Sequence, residues 1–528
     1  MMSEDPVMAA VDGRRDVRAA RARTEDEETF ASMWAGAVKR TPEAPFLLFE
    51  AEGPVQAWTY AQFDLIVERT AATLHRHGVR SGTAVHLALP NCPAFVAVWL
   101  AVSRLGAWMV AADPRASSEE IAVQFARTSP VLGIAASAGE DVYRAAMDAE
   151  RVMPLLVIDD ASTDLDPAGS SPLPPSGCQL SALAARDRLA VMFTSGTTSA
   201  PKGVILTQGL YAYTGQVMAQ ASQLRSSDRW LVALPLFHAN AQYYCFASAI
   251  KVGASVALVP RFSASQWVAQ ARRLGVTHGS LFAAPIRMVL ARDTSPESAQ
   301  LKHVWFAQNL TRDEYESFAL RVGVRPRQLY GMTETGPAVL TDRSVRPVAD
   351  SIGTPTPGCM VKVVETSLAL PGEILVGGRP GLTLFDGYLD DPASTRQSMS
   401  PPDAEGMVWF HTGDRAVVDA SGRYSFVGRR SEIVKVGGEN VSLAELDLVF
   451  TEYPGVLEGV AVSVPDPILD EVVDAVLVLE DAANELDQEA FVSWCAQRLS
   501  PARRPRHVHV VQSLPRTSVG KVRRFLAG

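Results

Sequence analysis

The sequence predicts an α/β protein: a large N-terminal domain of helix-covered, mostly parallel sheets plus a small β-layer, followed by a small α+β C-terminal domain. Three observations carry this expectation. Short apolar runs alternate with amphipathic helical stretches up to about Gly353. From there short β segments with Gly and Pro turns take over, as in "GEILVGG" and "GRYSFVGR". And a chain of 528 residues is far longer than one hydrophobic core needs, so at least two domains are expected.

Taken in order, "TAVHLAL" (83–89), "WMVAA" (108–112), "VLGIAA" (131–136) and "LLVID" (155–159) are apolar enough for strands buried on both faces. Helical patterns lie between several of them, at Pro93 to Leu105 and Ser117 to Arg127. The rhythm resumes with "WLVAL" (230–234), a helix near Gln242 to Lys251, "SVALV" (255–259), a helix near Ser265 to Leu274, and "THGSLF" (277–282). Beyond Arg430, strands at Val460 to Val464 and Val473 to Leu479 and helices at Leu443 to Tyr453 and Asp487 to Leu499 suffice for a compact unit. The expected boundaries are 1–430 for the large domain, with 1–28 as a flexible extension, and 431–528 for the small one. The Pro/Ser/Gly-rich stretch Ser162 to Gly177 reads as a surface connection inside the large domain.

Composition excludes several functions. At 47% apolar and 20% charged residues the chain is an ordinary globular protein, and a net charge of -9 gives no general attraction to nucleic acid or anionic lipid. Five scattered cysteines without a CxxC pair suit a reducing cytoplasm and carry no visible metal site. The charged N-terminus lacks the apolar stretch of a signal peptide. The run Phe95 to Ala112 is broken by Arg104 and Gly106, so it reads as a buried helix and strand, not a membrane span.

The stretch "FTSGTTSAPKGVIL" (193–206) joins two strand-like flanks through small and hydroxylated residues and one lysine. Pro201 stands where a Walker loop needs its second glycine, so that spacing fails. Consecutive backbone N–H groups, hydroxyls and a lysine can still cradle a phosphate, and the composition alone leaves a plain hairpin turn open.

Four further stretches accompany this loop: "LYGMTETGP" (329–337), "WFHTGD" (409–414), "GRRSEIVKVGGENVSLAELD" (428–447) and "LPRTSVGK" (514–521). In this order and spacing the five blocks resemble the acyl-adenylate-forming enzymes, from about Phe30 to the C-terminus. Through "TSGTTSAPKGV", "YGMTET", "GGENVS" and "NLTRDEYESF" (309–318), the chain is most similar in look to ligases of the crotonobetaine/carnitine-CoA type.

The resemblance implies a two-step ligase. A carboxylate attacks the α-phosphorus of ATP, releasing pyrophosphate; a thiol, that of coenzyme A, then displaces AMP. It implies that Thr194, Ser195, Gly196, Thr197, Thr198 and Lys202 grip the leaving pyrophosphate, and that Glu334, with Thr194, holds Mg²⁺. Tyr330, Gly331, Met332 and Thr333 match the segment against adenine and the α-phosphate, Asp414 the acid that holds the ribose hydroxyls, and Arg429 its assistant. Lys521 matches the lysine that bridges carboxylate and α-phosphate. For the second step the resemblance implies a mobile small domain that rotates, withdrawing Lys521 and bringing Lys435 to Asn440 toward the thiol. The hinge position carries Ser431, where relatives have Asp or Lys, and Ser199 replaces a common Gly, which stiffens the loop.

His238, in "PLFHANAQYY" (235–244), ends a strand and opens a helix, where α/β enzymes place ligands. By the same matching Asn240, Gln242, Tyr243, Phe306, Gln308, Met332, Thr335 and Gly336 are expected to wall the acyl pocket beside it. Buried amides would be left unpaired by an aliphatic chain, and bulky Phe306 and Gln308 would shorten the pocket, so a small or medium acid with polar substituents is expected. The sequence leaves open an acceptor other than coenzyme A, a carrier-protein thiol or an amine, and an unusual acid such as nitrite. It also leaves open a non-catalytic nucleotide-binding protein, although Lys521, Glu334 and Asp414 are all present. A cytoplasmic monomer or homodimer, with no nucleic-acid or membrane partner, is expected.

Overall fold

The computed structural model describes residues 28–147, 153–163, 165, 183–194, 201–292, 301–364, 371–429, 432–436, 439–466, 469–481, 486–516 and 522–524. The α/β expectation holds. A seven-stranded sheet runs in the order 387–388, 202–207, 188–194, 108–111, 84–88, 132–136, 155–158. Its strands are parallel except where 188–194 and 202–207 form a hairpin and 387–388 adds antiparallel to the edge. A nine-stranded sheet has the order 354–355, 340–341, 327–330, 303–307, 278–282, 229–232, 255–258, 45–49, 56–59, parallel through its centre and antiparallel at both edges.

One helix is apolar nearly all round and lies in the core. Pro93–Leu105 starts with Pro at its first turn, ends at Gly106 (φ 65°) and buries every residue but Arg104. Arg104 pairs with Asp64 at 3.3 Å and Glu68 at 2.8 Å. The helix stacks Trp99 on Phe30 at 4.8 Å between ring centroids, and Tyr211 of helix Gln208–Ala221 lies 5.7 Å from Trp99. Thr29, Thr59, Ser117 and Thr311 cap their helices reciprocally with the residue three positions on, the pattern that marks helix starts in sequence. The helix expected near Gln242 begins earlier and differently: Asn240–Ala247 is a π-helix, and only Ser248–Val252 is α-helical.

A four-stranded antiparallel layer, in the order 360–364, 372–378, 408–418, 424–429, follows as expected. The C-terminal region then folds into a five-stranded sheet around its own core, in which Phe450, Ala461, Leu477 and Phe491 are buried, covered by helices Leu443–Thr451 and Gln488–Arg498. Of the expected N-terminal extension only Glu28 is described, and its carboxylate pairs with Lys251 at 2.6 Å. Among the described residues no helix is long and apolar enough to cross a membrane.

Gly353 joins the β-layer to the nine-stranded sheet. It has φ 89°, accepts the Tyr424 N–H at 2.8 Å, and leaves no space for a side chain: a Cβ there would sit 2.0 Å from the Thr341 carbonyl carbon. Gly353→Ala adds a left-handed backbone penalty of about 1–2 kcal/mol to an overpacking cost of about 1–3 kcal/mol. A melting temperature lowered by roughly 2–6 °C, read by differential scanning calorimetry, is expected; an unchanged value contradicts the close approach.

Candidate active site

The segment that the sequence singles out first is a hairpin. Thr194 and Lys202 face each other across it, and the Thr194 hydroxyl donates to the Lys202 carbonyl at 3.4 Å. Ser195, Gly196, Thr197, Thr198 and Ser199 lie outside the described residues. The base of the hairpin is held by Arg127, whose guanidinium donates to the carbonyls of Pro201 (2.7 Å) and Leu389 (2.6 Å) and lies 5.2 Å from the Phe193 ring centroid.

Beside Lys202 the edge strand Gly387–Tyr388 pairs with Val204 and Ile205. This puts the Lys202 ammonium 4.7 Å over the Tyr388 ring, a cation–π geometry, while the Tyr388 hydroxyl donates to Glu334 Oε1 at 3.1 Å. Glu334 sits in the one-turn helix Thr333–Thr335 and is 8% exposed. Burial raises its pKa, opposed by the Tyr388 hydrogen bond and the charges of Arg429 and Lys202. Lys202, Tyr388 and Glu334 therefore form one polar cluster, and Tyr388 is a member that the motif matching missed.

Asp414 forms the second cluster. It is 3% exposed, accepts from Tyr330 Oη at 2.7 Å and Arg429 Nε at 2.9 Å, and its own N–H donates to Thr412 Oγ1. Burial and the Asp414 carboxylate raise the Tyr330 phenol, so it remains a donor. Tyr330, Gly331, Asp414, Arg429, Ala307 and Gln308 line a cavity of about 370 Å³. The opposite wall comes from the C-terminal region: Glu432, Asp447, Glu458, Arg516, Val522 and Arg524. Arg516 and Val522, which flank the segment holding Lys521, bridge each other and both line this cavity. Lys521 and Ser431 are outside the described residues; Lys435 lies on strand Ile433–Val436, its backbone paired with Asn440. Across the cavity Arg287 lies 3.9 Å from Glu458, which also pairs with Arg516, a contact between the two regions that no motif announced.

Three of the expected acyl-pocket residues have their side chains engaged within the protein. Gln242 is fully buried and its amide is engaged internally, accepting from Tyr211 Oη at 2.6 Å and donating to the Leu236 carbonyl at 2.6 Å. Phe306 is fully buried on the outer side of its strand, in a core cluster with Tyr315 and Phe318, while the alternate residues Trp305 and Ala307 face inward. The argument that Phe306 shortens the pocket therefore fails. Thr335 spends its hydroxyl within its own turn, on Met332 and Pro337.

Of the remaining wall residues, Gln308 is exposed at φ 73° beside the cavity. Met332 precedes Glu334, and Asn240 and Tyr243 are buried in the π-helix. Gly336, at φ 70°, abuts Thr214 so closely that a Cβ would lie 2.6 Å from its hydroxyl. The His238 ring lies 4.5 Å from that of Phe237 between centroids, tilted by 45°, and burial lowers its pKa to about 4.

A buried carboxylate next to a lysine and hydroxyl groups has the hard oxygen donors that Mg²⁺ takes together with phosphate oxygens. Among the described residues no three His, Cys, Asp or Glu side chains cluster as a metal site.

Comparison with known proteins agrees with this geometry. Residues 34–389 match the family described as AMP-binding enzyme, and residues 445–521 match the AMP-binding enzyme C-terminal domain. The crotonobetaine/carnitine–CoA ligase of Salmonella paratyphi A is 31% identical over 520 residues, covering 94% of this chain and 98% of the relative. That of Citrobacter koseri is 31% identical over 512 residues, with coverages of 94% and 98%. Two solved structures share the fold. The anthranilate CoA ligase AuaEII with anthranoyl-AMP has a TM-score of 0.84 at 22% identity, covering 95% of this chain and 97% of that one. ATP-bound MatB from Rhodopseudomonas palustris has a TM-score of 0.83 at 21% identity, with coverages of 94% and 98%. The chain thus belongs to the AMP-binding enzyme family and is an adenylate-forming ligase of the acid–CoA ligase type, using ATP, Mg²⁺ and coenzyme A.

Proposed function

We propose that this enzyme activates a small or medium carboxylic acid as its acyl-adenylate and passes the acyl group to coenzyme A. The observation that carries the reading is the pair of buried polar clusters, Lys202–Tyr388–Glu334 and Tyr330–Asp414–Arg429, the second opening onto the 370 Å³ cavity. The relatives' names, with crotonobetaine and carnitine as their acids, favour a compact acid over a long fatty chain.

In this reading Asp414, its oxygens already oriented by Tyr330 and Arg429, accepts the ribose hydroxyls through its remaining lone pairs. Gly331, Met332 and Thr333 lie along the base and α-phosphate. Thr194, Ser195, Gly196, Thr197, Thr198 and Lys202 neutralise the pyrophosphate as it leaves. Mg²⁺, held by Glu334 and Thr194, supplies charge neutralisation on the phosphate oxygens when bound. The substrate carboxylate attacks the α-phosphorus while Lys521 bridges the two, and the bond to pyrophosphate breaks. The coenzyme A thiolate then attacks the acyl carbon and AMP departs. Domains at 1–430 and 431–528, turning about Ser431, would exchange Lys521 for the Lys435–Asn440 segment between the steps.

His238 acts as a neutral ring beside the acid. Its pKa is lowered to about 4, first by burial, with Asp113 opposing and Arg115 adding to the shift. The stability this neutral ring contributes is complete above about 6.5, the ordinary histidine value, and is lost as pH falls through about 4. The ring signal of His238, assigned through His238→Gln in a ¹³C-histidine NMR titration, should not move between pH 8 and 5.5. A midpoint near the ordinary histidine value would contradict the burial.

ATP–pyrophosphate exchange across a panel of acids tests the reading. Compact acids should give the strongest exchange, and Lys521→Ala should reduce it at least about 100-fold. Strongest exchange with palmitate-length chains, or no dependence on Lys521, overturns it.

A further inference from the structure

Buried hydroxyls and amides are nearly always hydrogen-bonded, and an unpaired one signals a missing partner. Around the turn that carries Glu334, most buried polar side chains obey this rule. Gln208 bonds Ser103 and Ala31, Gln242 bonds Tyr211 and Leu236, Ser248 bonds Tyr244 and Trp230, and Thr335 closes its own turn. Four atoms do not: Thr214 Oγ1, Asn240 Oδ1, Tyr243 Oη and Trp99 Nε1 are buried without a hydrogen-bond partner among the described residues, and the first three are oxygens. Thr214 and Tyr243 are fully buried and Asn240 is 7% exposed.

These three belong to one neighbourhood. Thr214 lies on helix Gln208–Ala221, directly beneath Gly336, two residues past Glu334. Asn240 and Tyr243 lie in the π-helix that follows His238, and the Tyr243 ring meets Tyr211 of the Thr214 helix edge-on at 5.0 Å between centroids. Glu334 is close enough to add to the raising of the Tyr243 phenol, after burial and the Tyr211 and Tyr244 phenols, so Tyr243 keeps its proton. An eight-residue π-helix is itself a rare and costly local structure, found mostly where function requires it.

We propose that Thr214, Asn240 and Tyr243 are specificity-determining residues of the acyl site and that they select a compact acid bearing a hydroxyl or amino group. This rests on the reading of the chain as an acid-activating enzyme and names the class of acid. Asn240 Oδ1 only accepts, so its partner must donate; the Thr214 and Tyr243 hydroxyls can give or take. A hydroxyl or amino substituent completes such a set. A plain alkyl chain or an unsubstituted ring would leave every one of the three unpaired, which the site rejects.

The test is kcat/KM for ATP–pyrophosphate exchange with matched pairs: butanoate against 3-hydroxybutanoate, and benzoate against 3- and 4-hydroxybenzoate and aminobenzoates. At least one substituted acid should exceed its parent roughly tenfold or more, the effect of one hydrogen bond satisfied. Thr214→Val and Tyr243→Phe should each lower that preference roughly tenfold, with melting temperatures no lower than the unmutated protein, and Thr214→Ser should retain it. Parent acids equal to or better than every substituted partner overturn the proposal, as does a loss that falls equally on both members of a pair. Exchange with the parent acids alone overturns the selectivity and leaves adenylation standing; no exchange with any acid overturns the underlying reading as well.

Discussion

The site depends on one buried carboxylate. Asp414 comes from the β-layer, Tyr330 from the end of a strand in the nine-stranded sheet, and Arg429 from the last strand before the C-terminal region, and both donate to it. A carboxylate that is 3% exposed needs partners of this kind to stay ionised. The same bonds tie two adjacent strands of the β-layer to the nine-stranded sheet and point all three residues at one cavity. Gly353, wedged against Thr341 with no room for a Cβ, keeps the β-layer close enough for this to happen.

The second cluster solves a different electrostatic problem. Glu334 is pushed toward its neutral form by burial, and the Tyr388 hydroxyl, Lys202 and Arg429 push back. These opposing pulls act on a carboxyl group that is 8% exposed, where each interaction counts for more than it would in water. Arg127 fastens both the exit of the hairpin and the strand carrying Tyr388, so the two walls of this cluster are tied to one guanidinium. The contact of Arg287 with Glu458, and of Glu458 with Arg516, brings the C-terminal region against the Asp414 cavity.

Much of this was legible in the sequence because local chemistry and tertiary packing agree. Pro93 and Gly106 bracket a helix whose apolar run leaves it no place but the interior. The resemblance singled out Tyr330, Glu334, Asp414 and Arg429, and the structure brings Tyr330, Asp414 and Arg429 into one hydrogen-bonded group. What was not legible depends on contacts far apart in the chain. Arg127 and Leu389 are 262 residues apart, and Tyr388 meets Glu334 through strand pairing. Motif matching placed Phe306 and Gln242 near the acyl site, but it does not say which side of a strand or helix each side chain takes. A one-residue alternation turns Phe306 outward, and the π-helix changes the angular step per residue at Gln242. The same π-helix leaves Asn240 and Tyr243 unpaired, a feature visible only once every hydrogen bond is accounted for.

The central claim is that the two clusters serve acyl-adenylate formation followed by transfer to coenzyme A. The most direct measurement is mass spectrometry of the products formed from ATP, coenzyme A and a carboxylic acid labelled with ¹⁸O in both carboxyl oxygens. The account predicts one ¹⁸O in the phosphate of AMP and the other retained in the acyl-CoA carbonyl, with unlabelled pyrophosphate. Label appearing in inorganic phosphate, or acyl-CoA formed with unlabelled AMP, would contradict it.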